Sequence, residues 1–316
     1  MRILITGSSG QIGTNLALHL IERGHAVFGV DVRPNSWTDA FPTLLQDLAA
    51  PFSDFRGGLG HVPYPSDLDA VVHFAAHAKV HELVQQPARA LENITMTFNV
   101  LEFCRQNALP VIFSSSREVY GDIHRYITEE SHADFAFTES PYSASKIAGE
   151  ALIYSYAQCY DLRYLVFRFS NVYGRYDPAI ERMERVIPLF IRRIARGVPI
   201  TIYGEQKVLD FTYVDDCVAG VARGLELLTS GGTANQTINL AYGQGNSLLT
   251  LAETIGAALG VAPNLTLAPA RVGEVTHYVA DIGKARSILG YEPRVPLSEG
   301  IPRAVAWATG YWNSAR

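Results

Sequence analysis

The first residues contain the feature that most limits what this chain can fold into. A short apolar run at 3–6 is followed by the sequence G-S-S-G-Q-I-G and then by a helical pattern over 14–21. A strand, a glycine-rich turn and a helix in this order bring backbone N–H groups to a phosphate. Gly7 allows the tight turn, Gly10 lets the backbone approach a pyrophosphate, and Gly13 lets the helix pack closely. The opening stretch therefore predicts a dinucleotide-binding βαβ unit.

The second strand of this unit, Ala26–Val30, ends in Asp31. A carboxylate about 20 residues after the glycines can accept hydrogen bonds from both ribose hydroxyls, and it repels a 2′-phosphate. This position favours NAD over NADP. Arg33 is a mild signal in the other direction, and a turn residue after a strand is the alternative interpretation of Asp31.

Strands and helices alternate up to about residue 173. Further strands are predicted near Leu44-Leu45, in the apolar run 70–76, at 111–113 and at 164–169, with a helix over 88–106. This alternation is typical of a parallel, doubly wound (Rossmann-type) sheet, which binds ligands at the carboxyl ends of its strands. His73, inside one apolar run, is interpreted as a hydrogen-bonded core residue rather than a ligand.

Beyond Gly174 the alternation breaks, which predicts a smaller C-terminal substrate-binding lobe. We expect Asp215 to cap a helix and two short helices to follow the strand near 265–267. The predicted NAD-binding domain comprises 1–173 and 209–243, and the predicted smaller lobe comprises 174–208 and 244–316.

Composition excludes several classes of function. The 316 residues are 48% hydrophobic and 18% charged, as in an ordinary globular protein, and the net charge of −5 gives no reason to expect nucleic acid. The three cysteines lack metal-ligand spacing and are too few for a disulfide framework. No apolar run reaches the roughly 20 residues of a membrane span, and the N-terminus begins directly with a strand. We therefore expect a cytoplasmic protein without metal or membrane contact.

A second motif begins where a helix is predicted after Ser140-Pro141, a typical N-cap and first-turn pair. Tyr142 and Lys146 are four residues apart and share one helix face. An ammonium near a phenol favours the phenolate and lowers the tyrosine pKa from about 10. Such a tyrosine can exchange protons near neutral pH. Tyr-x-x-x-Lys alone is common by chance, so the motif needs support from other residues.

That support comes from motifs along nearly the whole chain, which are Asp47-Leu48, His73-Phe74-Ala75-Ala76, Asn93, Ser116, Asn171-Val172-Tyr173-Gly174, Asp210-Phe211-Thr212-Tyr213-Val214-Asp215-Asp216 and Arg271-Val272-Gly273-Glu274. Together with the glycine turn and Tyr142-x-x-x-Lys146, they resemble the extended short-chain dehydrogenases/reductases, in particular the NAD-dependent nucleotide-sugar epimerase/dehydratase branch.

The resemblance implies roles for these residues. Bound NAD would take a hydride from C4 of a nucleotide sugar while Tyr142 removes the 4-hydroxyl proton. Lys146 would lower the tyrosine pKa and hold the nicotinamide ribose, and Ser116 would hydrogen-bond the same sugar oxygen. The implied cofactor-binding residues are Gly7, Gly10, Gln11, Ile12, Gly13, Asp31, Val32, Arg33, Asp47, Leu48, Phe74, Ala75, Ala76, Asn93, Ser114, Tyr142, Lys146 and Phe169. The implied substrate-binding residues are Arg117, Asn171, Arg175, Val186, Tyr203 and Arg271. The family also suggests a homodimer formed through the helices near 88–106 and 142–158.

Some residues depart from the family pattern. Glu118 stands where dehydratases and decarboxylases of the family carry a glutamate that acts at C5, so it is a fourth candidate catalytic residue. Yet Arg271-Val272-Gly273-Glu274 is the epimerase-like form, and the arginine that decarboxylases carry near Tyr278 is absent. Leu209 stands where family members often have an arginine that contacts the substrate diphosphate. Lys207 or Arg271 could make this contact instead.

Arg117 has two interpretations. It could bind an acidic sugar such as a uronate, because a guanidinium pairs bidentately with a carboxylate. It could instead form a salt bridge with Glu118 or another local carboxylate. Arg175, Arg182 and Arg185 add positive charge on the presumed substrate side.

These observations favour an NAD-dependent nucleotide-sugar 4-epimerase, acting on a UDP-hexose or UDP-uronate through a transient 4-keto sugar. The alternative is a dehydratase or UDP-glucuronate decarboxylase that uses Glu118. A non-catalytic NAD-binding sensor is a more remote alternative, because Ser116, Tyr142 and Lys146 are all present. Reductases of 4-keto sugars also remain, and Asp31 weighs against those that prefer NADP.

Overall fold

The centre of the protein is a seven-stranded parallel sheet, seen in a computed structural model that describes residues 1–50, 67–121, 138–177, 185–269 and 276–314. Its strands are β1 (Arg2–Thr6), β2 (Ala26–Asp31), β3 (Thr43–Leu45), β4 (Ala70–His73), β5 (Val111–Ser116), β6 (Tyr164–Phe169) and β10 (Gln236–Leu240). They lie in the order β3-β2-β1-β4-β5-β6-β10. The chain therefore winds outward from β1 in one direction and then from β4 in the other. The crevice between β1 and β4 is where such sheets bind ligands.

Helices cover both faces of this sheet, as predicted for a doubly wound fold. On one face, α1 (Gln11–Ile21) and α6 (Val214–Thr229) pack against the sheet and each other. On the other, α3 (Ala88–Gln106) packs along α4 (Pro141–Tyr160), with the short α2 (Val80–Gln85) beside them. Because both faces are covered, β4, β5 and β6 are buried along their whole length.

The start of α4 is formed by local sequence, as expected. The Ser140 hydroxyl accepts a hydrogen bond from the backbone N–H of Ser143 at 3.1 Å, and Pro141 occupies the first turn. The helix ends at Asp161, whose φ of 54° is left-handed. The N-cap at Ser140 places Tyr142 and Lys146 in the first two turns, facing the end of β5.

The smaller part of the fold contains two further sheets. β7 (Asn171–Tyr173), β9 (Val208–Tyr213), β11 (Gly245–Ser247) and β13 (His277–Tyr278) form one of them, in which β9 pairs with each of the others. β8 (Ile200–Tyr203) and β12 (Leu265–Ala268) form a parallel pair. The helices of this part are α5 (Val186–Ala195), α7 (Leu248–Leu259) and α9 (Leu297–Ser314), whereas α8 (Gly283–Leu289) packs against β10 and α6.

Two predictions about this part were wrong in detail. The last helix, α9, has 18 residues and is not short, because one of its faces is buried, with Ile301 and Val305 among the buried residues. It contains Pro302 in its interior. Asp215 does not cap α6, since Tyr213 occupies the N-cap position and Asp215 lies in the first turn. The division into domains stays a prediction. In the structure β7 and β9, both assigned to its NAD-binding part, pair in the smaller sheet.

Across the described ranges, every helix is too short or too polar to cross a bilayer.

Candidate active site

The carboxyl ends of the central strands open into a cleft of about 1410 Å³. All four predicted catalytic residues line it, and so do all the predicted cofactor residues except Asn93. Those lining residues come from the glycine turn, the ends of β2, β4, β5 and β6, and α4. Sequence motifs as far apart as Gly7 and Phe169 therefore meet at one edge of one sheet.

The glycine turn forms a cradle that fits a diphosphate. A Cβ atom on Gly7 would lie 2.7 Å from the backbone nitrogen of Ala75, and one on Gly13 would lie 2.3 Å from the Gly7 carbonyl oxygen. Gly7 also has a φ of +70°, which favours glycine. Gly10 is the N-cap residue of α1 and has no side chain to occupy the first N–H groups of the helix. These donors face the cleft and are available to an anion.

Asp31 lies at the other end of this cradle with a carboxylate suited to a ribose diol. It accepts hydrogen bonds from the backbone N–H groups of Ser9 at 3.0 Å and Arg33 at 3.3 Å. Burial raises the pKa of Asp31, while these hydrogen bonds and the Arg33 charge oppose the shift. The Arg33 guanidinium lies 3.8 Å from the carboxylate, so its positive charge is partly used within the chain.

Ser116, at the end of β5, meets Tyr142 at the start of α4. The Ser116 hydroxyl lies near enough to the Tyr142 phenol to lower its pKa, and it accepts the Glu118 backbone N–H at 3.2 Å. Lys146 donates to the Ser114 carbonyl at 2.8 Å. Ser116, Tyr142 and Lys146 are each at least nine-tenths buried, so a proton moved among them is shielded from bulk water.

The prediction that Lys146 lowers the pKa of Tyr142 is wrong for the protein chain alone. The pKa of Tyr142 is raised to about 12, chiefly by burial. The neighbouring Ser116 hydroxyl lowers it and the Glu118 charge raises it further. The Lys146 ammonium lies 5.8 Å from the centre of the tyrosine ring and points to Ser114. Burial also lowers the pKa of Lys146 to about 8. Desolvation therefore outweighs the attraction between the two groups.

Two buried polar residues support the cleft from behind. Asn93 accepts the His77 N–H at 2.7 Å and donates to the His77 carbonyl and to Ser145 at 3.1 Å each, so it fixes the loop after β4 against α4. His73 is hydrogen-bonded to Thr6 at 2.7 Å and Thr97 at 3.3 Å, which confirms it as a core histidine.

Arg117 and Glu118 form a salt bridge inside the cleft, with an Nη2 to Oε1 distance of 3.0 Å. The two side chains are only 14% and 13% exposed. Of the two interpretations of Arg117, the structure shows the local ion pair. The guanidinium also lies over the Tyr278 ring, 5.7 Å from its centre.

The predicted substrate residues are only partly brought together. Asn171 and Val186 line the cleft with Arg117. Arg175 and Tyr203 do not line it, and the Arg175 guanidinium binds Asn15 at 2.8 Å and Asp215 at 2.9 Å. Arg271 and Arg182 lie outside the described residues.

The two positions discussed for the substrate diphosphate differ in location. Leu209 is buried in β9, 5% exposed, whereas Lys207 lines the cleft.

Sequence reasoning gave Arg185 no specific role. Its guanidinium donates to the Gln11 side chain at 3.0 Å, to the Val172 carbonyl at 3.2 Å and to Asp177 at 3.1 Å. It therefore connects the cofactor cradle to the first turn of α5. The sequence signal was weak, since an arginine before an apolar helix is common. The pair of His77 and Glu92, 2.6 Å apart at the cleft, was also missed.

The fold and cleft define a dinucleotide-binding enzyme of the short-chain dehydrogenase type, with a buried Ser-Tyr-Lys set for proton transfer. Within the described ranges, no three potential metal ligands are grouped. The model of the NAD dependent epimerase/dehydratase family matches residues 3–241. The chain belongs to this family, and NAD is the cofactor that its cradle fits.

Individual relatives agree over nearly the full length. The UDP-glucose 4-epimerase of Mycolicibacterium smegmatis is 30% identical, over 96% of this chain and 97% of its own. The structure of a Thermotoga maritima UDP-glucose 4-epimerase with UDP-glucose has a TM-score of 0.85 and 29% identity, with both chains covered completely. A Bacillus cereus UDP-glucuronic acid 4-epimerase, solved with UDP-glucuronic acid and NAD, has a TM-score of 0.85 and 25% identity, over 98% of this chain and all of its own.

Proposed function

We propose that this protein is an NAD-dependent 4-epimerase of a UDP-linked hexose or uronate. The observation that carries the proposal is that the buried side chains of Ser116, Tyr142 and Lys146 line the same cleft as the glycine cradle. The relatives that act on UDP-glucose and UDP-glucuronic acid support the substrate class. When bound, NAD supplies reversible hydride acceptance at C4 of the sugar.

The residues of the chain would handle the proton. Tyr142 accepts the proton of the sugar 4-hydroxyl as the 4-keto sugar forms and returns it when the inverted alcohol is made. Ser116 donates a hydrogen bond to the same sugar oxygen. Tyr142 must be a phenolate before it accepts this proton, and Lys146, held by Ser114, would favour that phenolate by keeping a positive charge near it in the buried site.

A second candidate is a dehydratase or decarboxylase, because Glu118 lines the cleft two residues after Ser116. A carboxylate at this position could act at C5 of the 4-keto sugar. Its salt bridge with Arg117 counts against a free general base, and for this reason we place epimerisation first.

We also propose a homodimer in the cytoplasm. Leu91 and Phe98 on α3 are 68% and 44% exposed, an apolar face that a second copy could cover. Cys104, Cys159 and Cys217 are unpaired thiols, as is usual in a reducing compartment.

The reaction is tested by incubating the protein with UDP-glucose, UDP-glucuronate or UDP-N-acetylglucosamine, without added reductant, and following the sugar by NMR. We expect inversion at C4 with unchanged mass. Tyr142→Phe should retain bound NAD but lose on the order of 10²–10⁴-fold in rate, the usual contribution of a positioned acid–base group. Loss of water or carbon dioxide with the unaltered protein would instead establish the second candidate.

A further inference from the structure

Arg117 and Glu118 are fixed side by side at the reacting end of the cleft. They are the first two residues of a 3₁₀ turn, Arg117–Tyr120, that follows directly from Ser116. The charges of both side chains act on the Tyr142 phenol, Glu118 raising its pKa and Arg117 lowering it. The pair is therefore close to the atom that exchanges the proton.

The arginine is held in place by more than the ion pair. Its guanidinium lies over the ring of Tyr278, which is 1% exposed and stacked on Tyr120 with ring centres 6.2 Å apart. A rigid aromatic platform of this kind restricts the guanidinium and supplies cation–π attraction. Glu118 has its backbone N–H fixed on the Ser116 hydroxyl. Both members of the pair are thus positioned from outside the pair itself.

A carboxylate at this position is a chemical hazard for an epimerase. A ketone at C4 makes the hydrogen on the neighbouring C5 acidic, and C6 of a hexose carries a hydroxyl that can leave. A free carboxylate within reach would act as a general base on C5. In that elimination the C5–H bond breaks and its proton passes to the carboxylate. The bonding electrons form a C5=C6 double bond as the C6–O bond breaks, and the leaving hydroxide takes the proton back and departs as water. The hydride removed from C4 would then return to C6 while a proton is added at C5, so the product is a 4-keto-6-deoxy sugar that has lost one water.

We propose that Arg117 holds Glu118 in an ion pair that suppresses this elimination, so that Arg117 determines which reaction follows ketone formation. The guanidinium, 3.0 Å from the carboxylate, occupies a lone pair of Glu118 and holds the group on Arg117, so that it is not free to take a proton from C5. Arg117 is then a positioning residue acting through Glu118. This inference rests on the proposed 4-epimerase activity and adds a determinant of reaction specificity to it.

The test compares the products of four proteins on UDP-glucose: the unaltered chain, Arg117→Gln, Arg117→Gln/Glu118→Gln and Arg117→Lys. Mass spectrometry separates the epimer, which has unchanged mass, from the product that has lost water. We expect the ratio of elimination to epimerisation to rise on the order of 10²-fold in Arg117→Gln, the scale of a released general base. The double variant should return the ratio to that of the unaltered chain. Arg117→Lys should give a ratio between those of the unaltered chain and Arg117→Gln.

Arg303→Gln is the matched control, because Arg303 forms an exposed pair with Glu299 at 3.3 Å on α9 and neither residue lines the cleft. Its product ratio should not change. A product ratio that is unaltered in Arg117→Gln, in a protein that still folds and epimerises, overturns the inference but leaves the proposed function intact. If the unaltered chain produces mainly the dehydrated sugar, or converts none of UDP-glucose, UDP-glucuronate and UDP-N-acetylglucosamine, the proposed function itself fails.

Discussion

His73 shows how burial changes the behaviour of one side chain. It is 2% exposed and receives no carboxylate partner among the described residues. Burial and the nearby charge of Lys146 lower the pKa of His73 to about 3. The ring therefore stays neutral in the folded protein over a range in which the unfolded chain, with a pKa of 6.5 for this group, takes up a proton.

A pH dependence of stability follows from this difference. Between pH 6.5 and 3 the unfolded state binds the additional proton, so the stability contributed by neutral His73 is present above pH 6.5 and is lost as the pH falls. The loss is about 1.4 kcal/mol per pH unit. We expect His73→Asn to have a shallower fall in unfolding free energy from pH 6.5 to 4, measured by urea denaturation. The exposed His81→Asn is the control, and equal slopes for His73→Asn and the unaltered chain would contradict the assignment.

The limits of prediction from sequence are clear at single residues. Sequence alone predicted where the glycine turn, Asp31 and Tyr142-x-x-x-Lys146 lie, because each follows from a local geometric pattern. It did not predict the raised pKa of Tyr142, because that pKa depends on burial between elements that are distant in sequence. Similarly, Arg175 was expected at the substrate, whereas it binds Asn15 and Asp215, a choice that local sequence does not encode.

At the scale of elements, the contact between the glycine turn and α1 is the most restricted in the site. A Cβ at position 13 would meet backbone atoms of Gly7 and Ser8, at 2.3 and 2.8 Å, and backbone cannot easily give way. We expect Gly13→Ala to lose bound NAD, measured by absorbance after purification, and to have a lower melting temperature. Gly310→Ala is the control, because Gly310 lies within α9 with open space around it. That change should stabilise the protein by about 0.5–1 kcal/mol.

The buried pair of Glu150 and Arg168 connects α4 to β6. Two hydrogen bonds, at 2.9 and 2.7 Å, join the groups, which are 2% and 3% exposed. Arg168→Met should reduce the unfolding free energy by about 3–5 kcal/mol, because it leaves a buried carboxylate unpaired. Arg168→Met/Glu150→Gln should recover part of this loss. Both are measured by chemical denaturation. For comparison, Arg303→Met, which removes an exposed pair with Glu299, should change stability by less than about 0.5 kcal/mol.

Periodicity predicted the elements of the central sheet but not those of the smaller one. Strands β1 to β6 are apolar runs bounded by turns, and their pattern is local. In contrast, β7, β11 and β13 have two or three residues each and exist because β9 pairs with them. Short strands of this kind depend on partners far away in sequence, so no local pattern indicates them.

For the whole molecule, the cofactor cradle and the substrate side are connected through the first helix. The Gln11 side chain donates to the Gly174 carbonyl at 3.2 Å, and the Asn15 side chain donates to the Arg175 carbonyl at 3.1 Å. Arg185 completes the connection on Gln11. Because these contacts begin in α1, whose N-terminal N–H groups face the cleft, a displacement of Gly174, Arg175 or Arg185 would be transmitted to the glycine turn.

The outer face of α3 determines the proposed assembly. Leu91 and Phe98 are seven residues apart and project from one side of the helix. A stable dimer buries about 800 Å² of surface on each partner. An aspartate at both positions would place two charges inside this apolar contact and so weaken it. We expect Leu91→Asp/Phe98→Asp to sediment as a monomer while the unaltered chain sediments as a dimer. Leu267→Asp, which changes a 51% exposed leucine on β12, should remain dimeric. Equal masses for all three proteins would show that this face is not the interface.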